Sequence, residues 1–404
     1  MLSGFREALL DPELLRASRL SPTAFTRQRT LTFPRLLALM LSGMCASVQS
    51  ELDRLFATLA GESGRRREVS DRAFSQARRG FSAQAFDALR ARLLEHLAPR
   101  LETQRWRGLR VVAADASRLH VSTRAGAQLT ADHWAFALFL PGAEQTLHAS
   151  LHPADASERQ MLFEALECLE PQRDLLVLDR GYVGNATAAW LGQAGLRWCM
   201  RVEACGWGCV KTFLRSGLPE QQVMLKAPTR GQCAIYEIER RPSSVRLIRD
   251  VTPNGRVRVL MTNLLDAQAF PAEHFGALYH QRWRIEEAFK RIKHRLALEA
   301  VTGLTYLALQ QDFAAKVLAD NLCAALALAD LPEQAATRPN RTYALGALRA
   351  ILAACLLGAP RIRSALATTL AAIDRARCRI QPDRHSPRPP RPKPHKYSAY
   401  KTMS

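Results

Sequence analysis

The chain has 404 residues, 48% of them apolar, which is enough to bury a sizeable core and excludes disorder throughout. Lys and Arg number 57 against 37 Asp and Glu, a formal net charge of +20. Polyanions, nucleic acid or an acidic membrane surface, therefore lead the partners. No apolar run approaches the roughly 20 residues that cross a bilayer, and residues 1–16 carry acids without a signal-peptide pattern, so the expectation is a soluble protein inside the cell. Nine cysteines, an odd number, read as free thiols in a reducing compartment. The tightest group, Cys199, Cys205, Cys209 and Cys233, lacks the second close pair of a zinc site.

In chain order, residues 1–105 carry a helical pattern, with apolar positions three and four apart at Leu36, Leu37, Met40 and Leu41 and again at Phe86, Leu89, Leu93 and Leu94. Between them Arg65, Arg66 and Arg67 precede Ser70–Arg79, a capped helix with a basic face. This is either part of a DNA-binding helix pair or a solvated basic surface. The β-branched run Leu109–Asp115 predicts a buried strand ending in an acid, followed by strands at Leu119–Ser122, Trp134–Leu140 and Thr146–His152. A helix begins at Ser157 and runs through Leu169, and Asp174–Asp179 is a second buried strand ending in an acid. That order implies a mixed α/β sheet.

Residues 203–265 are richer in strand, Gly and Pro signals, with strands expected at Val223–Leu225, Cys233–Ile238, Val245–Ile248 and Arg256–Leu264. They read as a β-rich insertion. Helix returns from Glu273, and Leu304–Leu331 and Tyr343–Ile373 are amphipathic enough to close the fold. The expected division is 1–105 helical and DNA-binding, 106–202 first part of the core, 203–265 insertion, 266–374 second part of the core, and 375–404 an extended basic, Pro-rich tail.

The stretch Ala277–Glu299 is the most informative. Projected at about 100° per residue, with Tyr279 at zero, Arg282 falls near 300°, Glu286 near 340°, Lys290 near 20° and Lys293 near 320°. Beside this polar strip run Leu278, Ile285, Phe289, Ile292 and Leu296, a stripe fit to pack on a sheet. A lone carboxylate among such bases also fits an ion-paired helix surface. The neighbouring apolar stripe instead lets Glu286 be held at the edge of the sheet, where Asp115 and Asp179 end their strands. Three converging carboxylates make a hard oxygen site suited to Mg²⁺ or Mn²⁺, and two such ions serve phosphodiester chemistry.

The same residues resemble the insertion-sequence-four family of DDE transposases. Its signature Y-x2-R-x3-E-x6-K is matched in every spacing by Tyr279, Arg282, Glu286 and Lys293. Asp115 in Ala-Ala-Asp-Ala-Ser, Asp179 in Leu-Asp-Arg-Gly-Tyr and Leu260–Leu264 ahead of the helix support it. The resemblance implies an RNase H-like mixed sheet flanked by helices, interrupted by a β-rich insertion between the second Asp and the Glu, with helical N- and C-terminal regions.

It also implies that Asp115, Asp179 and Glu286 are the catalytic, metal-binding triad for two Mg²⁺ or Mn²⁺ ions. Tyr279, Arg282, Lys290 and Lys293 would contact DNA phosphates. The implied function is metal-dependent cut-and-paste transposition by end nicking, a hairpin intermediate and strand transfer. The implied partners are double-stranded DNA (terminal inverted repeats and target) and a second copy of the chain, with no membrane, in a bacterial cytoplasm near the nucleoid. Related enzymes place a tryptophan before the strand at Val259–Thr262 to stabilise a flipped base; here Arg258 stands there, and Trp207 is the other stacking candidate. An RNase H-like nuclease without strand transfer and a catalytically silent DNA-binding regulator are the alternatives.

Overall fold

A computed structural model of the chain describes residues 1–379 except 28, 122, 126–127, 131, 204–205, 253–254 and 330–336. The centre is an eight-stranded mixed sheet. Five of its strands are β1 (Arg110–Leu119), β4 (His133–Leu140), β5 (Gln145–Pro153), β6 (Asp174–Leu178) and β7 (Arg197–Val202), while β2 (Thr123–Ala125) and β3 (Gln128–Thr130) form a separate small hairpin. In space the order is β5-β4-β1-β6-β7. β1, β4 and β5 pair antiparallel, and β1, β6 and β7 pair parallel. This order and these senses are those of an RNase H-like sheet. All five residues of β6 are buried, as expected of a central parallel strand covered on both faces.

The other three strands come from residues 203–265. β10 (Val257–Thr262) pairs antiparallel with β7, β9 (Ser243–Val251) with β10, and β8 (Glu220–Leu225) with β9. The β-rich insertion therefore extends the core sheet. One strand expectation in it is corrected: Cys233–Ile238 is not a strand, because Arg230–Tyr236 forms a helix. Thr229 and Gln232 make a reciprocal capping box at its start, and Glu237 adopts a left-handed conformation (φ 51°) at its end.

Period-two alternation sorts the strand side chains onto two faces. On one, Val112, Ala114, Phe136, Leu138, Leu176 and Leu178 pack against helices at Glu158–Glu164, Asn185–Gln193 and Gly208–Ser216. On the other, Val111, Val177 and Leu260 meet the helix at Phe275–His280, and Ala113, Ala137 and Phe139 meet the helix at Trp283–Lys290 and Tyr306–Ala329. In chain order the helices are α1 (Leu2–Leu10), α2 (Pro12–Ser18), α3 (Phe33–Leu41), α4 (Val48–Leu59), α5 (Asp71–Arg78), α6 (Gln84–Thr103), α7 (Glu158–Glu164), α8 (Asn185–Gln193), α9 (Gly208–Ser216), α10 (Arg230–Tyr236), α11 (Phe275–His280), α12 (Trp283–Lys290), α13 (Tyr306–Ala329), α14 (Arg341–Leu357) and α15 (Ile362–Arg375).

Residues 1–105 are helical, and their core is shared with the rest of the chain: Leu36, Leu37 and Leu41 of α3 belong to one cluster with Leu318 and Leu322 of α13 and Leu345, Leu348 and Leu352 of α14. A buried arginine fastens the join. Arg78 of α5 donates to Gln311 (2.9 Å), Asp312 (3.1 Å) and the Ala308 carbonyl (2.7 Å) of α13. The basic tail lies outside the described residues beyond 379, while Arg377–Arg379 (β12) pairs with Thr337–Pro339 (β11).

Among the described residues no helix is long and apolar enough to cross a membrane.

Candidate active site

Asp115 occupies the middle of β1, paired opposite Ala137, and not its end, as the run Leu109–Asp115 had suggested. Alternation from Ala113 turns its side chain toward the face that α12 covers. Asp179 follows the last residue of β6 and N-caps the 3₁₀ turn Arg180–Tyr182. Glu286 stands in the first turn of α12, held against β1 by Ile285 and Phe289, both buried. The sheet order β1-β6 and the docking of α12 thus turn three acids distant in sequence toward one region.

The helix that carries Glu286 is not evenly wound. Three-residue bonds at Arg282 to Tyr279 (3.2 Å) and Ile285 to Arg282 (3.1 Å) tighten it between α11 and α12. After Lys290 it opens into a π turn, Arg291–Arg295, closed by the Leu296 amide on the Arg291 carbonyl at 3.0 Å. Buried Arg291 causes a strong local tie there, meeting Asp320 of α13 at 3.0 Å and Glu144 at 3.2 Å.

Uneven winding redistributes the expected strip. The Tyr279 hydroxyl is buried and donates to Asp179 at 3.1 Å, and Arg282, 4% exposed, donates to Glu286 at 2.8 Å. Lys290 departs from the strip and pairs with Glu287 at 2.6 Å. Lys293 donates to the Arg118 carbonyl at 2.6 Å and pairs with Glu299 at 3.1 Å, so it sits at the carboxyl end of β1.

Of the stacking candidates, Arg258 is occupied. Asp250 and the Gly276 carbonyl hold its guanidinium, which lies 4.9 Å from the Tyr279 ring centroid and is 18% exposed. Trp207 follows the carboxyl end of β7, the end at which Asp179 follows β6, and packs partly buried beside α9. The large exposed aromatic next to the acids is Trp283, 39% exposed with Arg282 5.4 Å from its ring centroid. It lies inside the signature spacing as an unspecified position, so spacing alone gave it no weight.

Electrostatically the region is short of positive charge. Burial pushes the Asp115 carboxyl up to about 7, Arg282 pulls it down, and the carboxylates of Glu286 and Glu158 raise it further. Glu158, the first residue of α7, is itself raised by burial and by Asp179. Burial and Asp179 also push the Tyr279 phenol up. Four carboxylates therefore share the field of one buried guanidinium.

Glu158 was missed in sequence, where it is only an acid in a helix's first turn with no motif around it.

The donor set tests whether a divalent cation suits the site. Its oxygens are hard carboxylates, the preference of Mg²⁺ and Mn²⁺. Two buried groups beside them have no hydrogen-bond partner among the described residues, the Tyr182 hydroxyl and Arg282 Nε. The chemistry fits. As the side chains stand, no three acidic, His or Cys groups among the described residues are clustered to hold an ion, and Glu286 is bonded to Arg282. Cys199, Cys209 and Cys233 likewise form no such cluster, and Cys205 lies outside the described residues.

The sheet order places the chain in the RNase H-like fold class. Residues 106–322, more than half of it, match the family described as "Transposase DDE domain", and the chain belongs to that family. It is also similar to a solved structure entitled "Cryo-EM structure of piggyBac transposase synaptic complex with hairpin DNA", with 9% identity and a TM-score of 0.45, covering 91% of this chain and 84% of that one. None of the curated proteins matches its sequence.

Proposed function

We propose that this chain is the transposase of an insertion sequence of the insertion-sequence-four type, cutting its element's ends and joining them to target DNA. The observation that carries this reading is the convergence of Asp115, Asp179 and Glu286, from β1, the end of β6 and α12, around the buried Arg282 in a chain of the transposase DDE family. These three acids would hold two Mg²⁺ or Mn²⁺ ions, whose chemistry when bound is to activate an attacking oxygen and to stabilise a leaving one.

The chain's own residues do the rest. Tyr279 fixes the orientation of Asp179 through its hydroxyl. Arg282 pairs with Glu286 in the structure, and its guanidinium would be the group that meets a DNA phosphate at the site. Lys293, at the carboxyl end of β1, lines the approach of the DNA backbone. Trp283, 39% exposed, and Trp207 are the rings that would stack on an unpaired base during a hairpin step, since Asp250 and the Gly276 carbonyl already hold the guanidinium of Arg258. The net charge of +20 draws DNA toward the protein, the N-terminal helices would recognise the inverted repeats, and the working unit is a dimer on DNA.

The test is cleavage of end-labelled DNA from the gene's own flanks in Mg²⁺ or Mn²⁺, followed by joining to a target plasmid. Wild type should cut at an element boundary and join, and Glu286→Gln should bind the same DNA without cutting it. Cutting without joining replaces this reading by a nuclease. Specific binding with no cutting by the wild type replaces it by a regulator.

A further inference from the structure

The acids of the signature leave out Glu158. This side chain opens α7, whose N-cap Ser157 accepts from the Gln160 amide at 3.2 Å, and α7 packs against β1 and against the turn after Asp179. Arg159 fastens that turn from the same helix, donating to the carbonyls of Gly181 (3.3 Å) and Val183 (2.9 Å). A Cβ at residue 181 would lie 2.8 Å from Glu158 Oε2. The Glu158 carboxylate thus rests against the bare backbone of Gly181 in the loop that follows Asp179.

Two explanations compete for an acid at this position. An acid in a helix's first turn is stabilised by the helix dipole alone. That account predicts no relation to the catalytic acids, yet Glu158 lies in the field of Asp179, Asp115 and Arg282. An independent feature points into the same space. The Tyr182 side chain is fully buried, its hydroxyl has no partner among the described residues, and the charges acting on it are Glu158 first, then Asp115 and Asp179. A buried donor left without a partner is costly, so its position near these carboxylates suits a site that takes up a ligand bearing oxygens, such as a hydrated cation.

We propose that Glu158 is a fourth acidic residue of the cation site, holding a hard divalent ion together with Asp115, Asp179 and Glu286, and that Gly181 is the position kept bare for it. This rests on the reading of those three acids as a cation site. The role is invisible to the signature because Glu158 is brought in by the β5–α7 connection.

The test is Mn²⁺ titration of the full-length protein, followed by the electron paramagnetic resonance signal of free Mn²⁺, with urea unfolding in EDTA as the folding control. Glu158→Gln should weaken Mn²⁺ binding by about tenfold or more, and Gly181→Ala, which displaces the carboxylate without removing its charge, should weaken it in the same direction. Asp115→Asn is the reference for a site residue. If Asp115→Asn loses Mn²⁺ while Glu158→Gln binds as wild type, Glu158 is a helix-dipole acid and the proposal falls while the cation site stands. If wild type takes up no Mn²⁺, or Asp115→Asn binds as well as wild type, both fall together. Should Glu158→Gln fail to fold, Gly181→Ala decides: unchanged affinity overturns the proposal.

Discussion

Asp115 should make the folded protein less stable as the pH rises, and Asp115→Asn should remove that penalty along with activity. Unfolded, this carboxyl titrates near 3.8; folded, burial and the neighbouring carboxylates lift it to about 7. Below the lower value both states hold the proton and the site costs nothing. Between the two values the folded chain binds the extra proton, so stability declines with rising pH, and above about 7 the full penalty is present. At about 1.36 kcal/mol per pH unit the ceiling is roughly 4 kcal/mol, and relaxation around a partly hydrated site reduces it. The expected readout is a gap in unfolding free energy between Asp115→Asn and wild type in EDTA that widens by about 2 kcal/mol from pH 5 to pH 8, the variant being the more stable. Urea unfolding followed by circular dichroism at four or five pH values measures it. Adding Mg²⁺ should return stability to the wild type alone, by about 2.7 kcal/mol at a hundred times the dissociation constant. A gap that stays level with pH, or a wild type more stable than Asp115→Asn at pH 8 in EDTA, would refute the reasoning that four carboxylates crowd one guanidinium.

Arg291→Met strands Asp320, which is fully buried and bonded to Arg291 through both oxygens at 3.0 Å. Because Arg341 still reaches Asp320, the expected loss is about 3 kcal/mol by urea unfolding, and the double variant with Asp320→Leu should recover part of it. Lys293→Ala should slow DNA cleavage by about tenfold, and Lys290→Ala by less than about twofold, since one side chain sits at the end of β1 and the other on Glu287; a single-turnover cleavage assay on both compares them directly. Thr229→Ala removes the capping box of α10 and should cost about 1 kcal/mol locally, seen as faster proteolytic nicking within residues 229–238 at unchanged overall unfolding midpoint.

Much of the fold is written in local patterns. Val111, Val112 and the run Leu175–Leu178 announce central strands because each is apolar at every position, as a strand covered on both faces must be. The helix after Ser157 is readable from its cap, and the structure keeps that cap. What local pattern does not carry is partnership. Residues 203–265 show strand propensity, but nothing in them says that β10 will pair with β7 and continue the core sheet. Residues 1–105 show helices, but only the tertiary packing reveals that Leu36 and Leu37 share a core with α13 and α14. At Cys233–Ile238, apolar residues suggest a strand, but a capping box at Thr229 starts a helix there, and its Tyr236 packs on Phe163 and Trp190.

The site divides in the same way. Tyr279, Arg282 and Glu286 are legible together because they lie within eight residues of a helical stretch, and the structure keeps Arg282 on Glu286 and Tyr279 close by across the join of α11 and α12. Past Lys290 a uniform projection no longer holds, for a physical reason: a π turn runs from Arg291, tied to Asp320 and Glu144, to Arg295, and Lys293 lies within it with its amine on the Arg118 carbonyl and Glu299. The charge balance is less legible still. Along the chain Glu286 lies among bases and looks over-neutralised, whereas in space Lys290 turns away to Glu287, Lys293 to Glu299, and Glu158 and Asp179 come in from other elements. Acids from β1, the end of β6 and α7 thus outnumber the one buried guanidinium that this basic helix brings to the sheet, and with burial they weaken the acidity of Asp115.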